Sequence, residues 1–189
     1  MKLRLSLFAL AAVLAGSAFA SEKDAKELAV KVARGKYLVH TSACMDCHTP
    51  LKMGANGPEP DMSRLLSGHP QDVRVPPAPA VAENSFWNVI AGATMTAWIG
   101  PWGTSFTANL TPDPDTGLGN WTERDFRETI RTGRHMGRGR PVLPPMPIPV
   151  YQNFTDDDLG AIFAYLRTIP AVKNRVPEPL PPAAAKASR

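Results

Sequence analysis

Cysteine is nearly absent: the chain of 189 residues has two, Cys44 and Cys47. There is no second C-x-x-C pair and no other cysteine to complete a Cys-rich zinc site. Charge of one sign is scarce as well. The formal net charge is +4, and +2 without Lys2 and Arg4, too little to argue for a nucleic-acid partner. Long apolar runs are also missing. The best one, Leu5 to about Leu14, is short for a membrane span, and no later segment could make one. Proline, by contrast, is abundant at 20 residues, and much of it falls in loop-like runs.

The first twenty residues look removable. A short basic start with Lys2 and Arg4 precedes the apolar stretch, and Ala18-Phe19-Ala20 is a small-x-small cleavage pattern before Ser21. Residues 1–20 therefore read as a secretory leader, with an exported destination, most simply a bacterial periplasm. The remainder suffices for one domain with a sizeable core. That domain is placed at 21–177, followed by an unstructured Pro/Ala-rich tail at 178–189.

The two cysteines carry the strongest motif. Cys44-Met45-Asp46-Cys47-His48 is a C-x-x-C-H run, the attachment site of c-type haem. The two thiols add to the haem vinyl groups, and the histidine becomes the proximal iron ligand. One helical turn can present both sulfurs on one edge while turning the imidazole inward. A bare C-x-x-C also suits a redox dithiol, but the adjoining histidine fits haem better. With both cysteines spent on one haem, no disulfide remains.

Around this motif the pattern is mainly helical. Residues 21 to about 40 read as a helix with apolar positions at Leu28, Val32, Leu38 and Val39. Gly35 costs helix stability there, which calls for close packing against another helix. Residues 49–81 read mostly as loop, with a short helix near Asp61–Ser67 and with Met53 and Met62 as haem cover. Ala93–Ile99 and Thr104–Asn109 can pair as a hairpin across Gly100-Pro101-Trp102-Gly103. Thr122-Glu123-Arg124-Asp125 is a capping box that opens a helix burying Phe126, Thr129 and Ile130 and ending at Gly133. Thr155 caps another, with Leu159, Ile162, Phe163 and Leu166 at i, i+3, i+4 and i+7, running to about Thr168.

Between those two helices lies Pro141-Val142-Leu143-Pro144-Pro145-Met146-Pro147-Ile148-Pro149, five prolines in nine residues. Proline fixes φ and removes donors, so the segment is a stiff strap. Met146 sits in its middle and is the first choice for the second axial iron ligand, ahead of Met95 and Met136. His40, His69 and His135 read as surface or haem-edge residues. The haem propionates need donors, and Trp98, Trp102, Asn109 and Arg134 are the candidates. The basic stretch Arg131–Arg140 could steer a partner.

These residues resemble class I cytochrome c in its larger bacterial form. Arg34-Gly35-Lys36-Tyr37-Leu38-Val39 leading into the haem motif resembles the family's first helix, and Ala161–Arg167 its last. Pro145-Met146-Pro147 resembles the distal ligand loop. The stretch Asn109–Asp113 through Gly119–Thr122 is similar to the cytochrome modules of membrane-associated dehydrogenases, whose haem subunits carry three such modules where this chain has one. The resemblance implies an all-α fold of short helices wrapped around one haem, with long loops and room for a small β-hairpin, and Gly35 crossing against Tyr165. It implies a one-electron carrier cycling Fe(III)/Fe(II) between a donor, such as a dehydrogenase or quinol-oxidising complex, and a terminal acceptor. The rival reading is a haem subunit of an oxidoreductase or peroxidase-type enzyme with a displaceable sixth ligand.

Overall fold

The computed structural model describes residues 4–77, 79, 81, 86 and 88–182, with side chains from residue 22 onward. Five α-helices follow in order: α1 (Arg4–Thr41), α2 (Cys44–His48), α3 (Glu123–Thr132), α4 (Ile148–Tyr151) and α5 (Asp156–Leu166). Among the described residues between α2 and α3 lie five short strands, β1 (Leu51–Gly54), β2 (Gly57–Pro60), β3 (Ile90–Ala91), β4 (Ala97–Gly100) and β5 (Gly103–Phe106). The architecture is mainly helical, with small antiparallel elements set into long loops.

The apolar stripe of α5 explains where the core forms. Leu159, Ile162, Phe163 and Leu166 are all buried, and they meet Leu38 and Val39 of α1 and Phe126 and Ile130 of α3. Burying such a side chain contributes about 1.5–3 kcal/mol. α1 and α5 cross at Gly35, where a Cβ would overlap the Ala161 carbonyl oxygen and come within 2.9 Å of Tyr165 Cβ. Ion pairs fasten the rim of this crossing: Arg34 Nε to Asp158 Oδ1 at 2.9 Å, and Lys31 Nζ to Glu123 Oε2 at 2.8 Å.

Both predicted caps are present. Thr122 accepts from the Asp125 N–H while the Asp125 carboxylate accepts from Thr122, and Gly133 ends α3 in the left-handed region at φ 66°. Thr155 accepts from the Asp158 N–H at the start of α5. The hairpin also forms, with Gly100 paired to Gly103 across Pro101-Trp102.

Other elements differ from expectation. α1 begins at Arg4, so most of the expected leader lies in its first half, and Met1–Leu3 fall outside the described residues. Leu28, expected on the buried stripe, is exposed, as are all of residues 22–30 of α1. Residues 49–81 contain a hairpin, β1 with β2, that periodicity missed because four-residue strands ending in Gly and Pro carry no alternation. Met53 and Met62 stand on that hairpin's outer side and beside it, both exposed, so they do not cover a buried cofactor. The expected tail is held at its near end: Leu180 and Thr104 exchange two backbone hydrogen bonds of 2.9 Å. Residues 183–189 lie outside the described residues.

Candidate functional site

The site begins where α1 stops. Ala43 adopts a left-handed backbone, φ 60°, which costs a non-glycine residue about 1–2 kcal/mol. That turn redirects the chain, so the next five residues form α2 at a new angle. The single turn Cys44–His48 closes with the Thr49 N–H bonded to Met45 O at 3.0 Å. Cys44 and Cys47 are half-buried free thiols, and His48 points inward with 7% of its surface exposed.

The His48 ring is held at one nitrogen. Nδ1 lies 2.8 Å from the Ala108 carbonyl oxygen, so Nδ1 carries the proton and donates. The neutral tautomer so fixed leaves Nε2 as a lone-pair donor for a metal, the arrangement by which backbone carbonyls orient ligating histidines. Burial also pushes the His48 pKa down, which favours the neutral ring. The backbone is clamped as well: the Gly68 N–H bonds His48 O at 2.8 Å, and Thr49 Oγ1 accepts from the Leu66 N–H at 3.0 Å.

His48 opens onto a cavity of about 960 Å³, near the top of the ~300–1,000 Å³ range of small-molecule sites. Val39, Leu110, Phe126, Ile130, Ile148 and Leu166 make much of its wall, and both cysteines border it. Met146 is on the same wall. Its proline strap is pinned at both ends: Ser105 Oγ donates to Pro144 O at 2.6 Å, and Pro147 O accepts from the N–H groups of Val150 and Tyr151 at 3.0 and 3.1 Å. Among the described residues, no group of three or more His, Cys, Asp or Glu gathers to chelate an ion. One imidazole and one thioether on a large apolar cavity instead suit a metal that brings its own equatorial ligands.

The thiols separate haem attachment from redox dithiol chemistry. Burial lifts the Cys44 pKa to about 11 and pushes Cys47 up too. A reactive dithiol needs a depressed thiol pKa, so this pair is poorly set for disulfide exchange. The C-x-x-C-H run, the half-buried thiols and the adjoining cavity match a haem c attachment site.

The four expected propionate donors have different placements. Trp98 lies on the cavity wall, and its Nε1–H is buried without a protein partner, an orphaned donor of the kind a bound carboxylate would satisfy. Asn109 also borders the cavity, but its amide already donates to Thr116 Oγ1, Val172 O and Asn174 O, which commits it to holding loops. Trp102 and Arg134 are not on the wall; Trp102 Nε1 donates to Ser105 Oγ at 3.3 Å, and Arg134 donates to Gly139 O at 3.1 Å. Of the other methionines, Met136 reaches the wall and Met95 does not, and His135 stands edge-on to Trp121 beside it. Arg140, the end of the basic stretch, is on the wall, and sequence reasoning missed Arg175 and Tyr151, which are there too. Tyr151 donates to Ser42 O, two residues before the first cysteine. Its position straight after the proline strap was the available signal.

Comparison with known proteins agrees with this geometry. The family model described as cytochrome c matches residues 32–170. The chain is similar to the cytochrome c subunit of a quinone-dependent alcohol dehydrogenase from Gluconobacter oxydans (31% identical over 156 residues, 82% of this chain and 24% of that protein). It is similar to the gluconate 2-dehydrogenase cytochrome c subunit of Pantoea cypripedii (29%, covering 82% of this chain and 27% of that one). It is also similar to the fructose dehydrogenase cytochrome subunit of Gluconobacter japonicus (26%, covering 78% and 24%). The chain thus spans about a quarter of the length of these relatives.

Proposed function

Because the chain belongs to the cytochrome c family, we propose that it is a one-electron carrier with His48 and Met146 as the two axial iron ligands. Cys44 and Cys47 would hold haem c through thioether bonds. The haem supplies, when bound, an Fe(III)/Fe(II) couple whose potential a thioether ligand raises. The protein's own task is to hold and insulate. Ala108 fixes the imidazole tautomer, the proline strap presents the thioether, and the apolar wall keeps water away. Electron transfer asks for no acid–base pair, and the chain acts as an electron-transfer module, not as the catalyst. The observation that carries the reading is the coexistence, on one cavity, of a carbonyl-oriented His48 and a strap-borne Met146.

The relatives' names point to a dehydrogenase partner. We infer that the electron donor is a dehydrogenase or a quinol-oxidising complex, that a terminal acceptor takes the electron, and that the chain serves as one haem module of such an assembly. Its place of work is the periplasm, with cleavage after Ala20 leaving a mature chain that starts at Ser21. Among the described residues no helix is long and apolar enough to cross a membrane.

The test is the absorption spectrum of the purified ferric protein. A thioether-to-iron charge-transfer band is expected, and Met146→Ala should abolish it, keep the haem covalently attached and admit cyanide. A band that survives in Met146→Ala but disappears in Met136→Ala would reassign the ligand. A wild-type ferric protein that takes up cyanide as readily as the variant would favour the enzyme reading.

A further inference from the structure

The cavity has a wall that the ligand set does not use. After α5 the chain returns across the molecule, and residues 175–179, Arg175-Val176-Pro177-Glu178-Pro179, border the cavity. This stretch lies beyond the family match, which stops at residue 170.

It is suspended between two anchors. At its start Asn174 is 3% exposed, and its amide donates to Ser67 O at 2.7 Å and His69 O at 2.9 Å while its Oδ1 accepts from the Gln71 N–H at 2.9 Å. Its own N–H donates to Thr116 Oγ1 at 3.0 Å, and the Arg175 N–H donates to Gln71 Oε1 at 2.9 Å. At its end Leu180 forms the two-bond bridge to Thr104 on β5. Gly103, at φ 100°, makes that bridge feasible, since a Cβ there would strike the Leu180 carbonyl and the Pro181 backbone. Between the anchors Val176 and Pro179 are half-buried while Arg175, Pro177 and Glu178 face out. Glu178 pairs with Arg140 across the strap, Nε to Oε2 at 3.6 Å. Pro177, Pro179, Pro181 and Pro182 stiffen the run.

We propose that residues 175–179 form a fixed strap over one edge of the haem cavity, which keeps water from the cofactor and so holds its potential up. The proposal rests on the haem reading given above. Its physical basis is that the ferric state carries one more positive charge than the ferrous state. A dry, apolar wall therefore penalises the ferric state. The strap also limits which edge a small reductant or a partner can approach. Arg140, through Glu178, is a positioning residue for the strap, not a ligand.

The test uses the haem-loaded full chain and two variants. Leu180→Pro removes one N–H of the far anchor, and Pro177→Gly loosens the run between the anchors; neither changes the charge beside the cavity. Wild type and variants are compared by ferric charge-transfer band, reduction potential, and rate of reduction by a neutral hydroquinone. Expected are an unchanged band, a lower potential and a several-fold faster reduction in both variants, with Leu180→Pro the larger. Wild-type potentials and rates in both would overturn the strap's role. So would loss of the band in the variants alone, because the segment would then be supporting Met146 and not excluding water. A wild-type protein without the band would instead overturn the ligand reading, and the strap proposal with it.

Discussion

The helical half and the looped half of this molecule are held together by different physics. α1, α3 and α5 meet through apolar side chains, with Leu38, Val39, Phe126, Ile130, Leu159 and Leu166 out of water. Residues 49–119 and 171–180 have few such contacts. There, outside the short hairpin ladders, polar side chains bond to backbone. Asn109 Oδ1 accepts from the Thr111 N–H, Thr111 Oγ1 accepts from the Val172 N–H, and Asp113 Oδ1 accepts from the N–H groups of Asp115 and Thr116. Asn174 ties both ends of this network to the 67–71 segment. A chain folding round a large planar group cannot fill the centre with its own helices. It surrounds that centre with loops, and each loop's backbone groups then need named partners. The apolar half supplies the cavity's floor, and the polar half supplies the shell that aims His48 through Ala108.

Breaking the helical half should cost most. Gly35→Val puts a side chain where the Ala161 carbonyl already lies, so α1 and α5 must separate. Overpacking of this kind costs roughly 3 kcal/mol, and more if the cavity floor opens. Thermal denaturation of the haem-loaded protein should show a large fall in midpoint together with loss of the ferric thioether band. A midpoint near wild type would mean that the crossing is looser than its geometry indicates. The looped half should respond less, but sharply for one polar residue. Asn174→Ala leaves two buried carbonyls, Ser67 O and His69 O, without this donor and strips the Gln71 N–H of its acceptor. An unsatisfied buried group costs about 1–3 kcal/mol, so a loss of about 2 kcal/mol in urea unfolding is expected. Asn174→Asp should be nearly as harmful, because a carboxylate replaces the amide donor with an acceptor facing those carbonyls.

The same division governs what could be read from the residues alone. Helix caps and periodic stripes are local, so Thr122, Gly133, Thr155 and the Leu159–Leu166 face were legible. The Gly35–Tyr165 crossing needed the family resemblance, since nothing local links residues so far apart. C-x-x-C-H was legible because it is contiguous, and the place of Met146 on the cavity wall because proline marks its strap. The looped half was not. Ala108 contributes a carbonyl and no side-chain signature, and Glu178 and Pro179, the far end of the strap, were read as the start of a tail because proline-rich sequence describes a stiff wall and a free end equally well. Asn109 was legible as a polar residue near the site, but not as one whose donors are already taken.

The smallest expected effect sharpens the comparison by pH. His69 is buried in the looped half, where Nε2–H donates to Val73 O at 3.1 Å and Nδ1 lies 2.9 Å from Thr96 Oγ1, itself 2.7 Å from Thr94 Oγ1. Burial holds its pKa below the ordinary 6.5, against smaller opposing effects from the Val73 carbonyl and Asp72. The unfolded chain therefore binds this proton more readily than the folded one. Stability from the neutral ring is complete well above 6.5 and declines as pH falls below it, levelling once the folded ring is also protonated. Urea midpoints measured between about pH 7.5 and 5 should slope downward with acid in the wild type. In His69→Gln, which retains a donor for Val73 O, the slope should be shallower over the same window. An equal slope would assign the acid sensitivity to another group, such as His135, whose pKa burial also lowers. That outcome would move the pH-sensitive point from the shell behind His48 to the cavity wall itself.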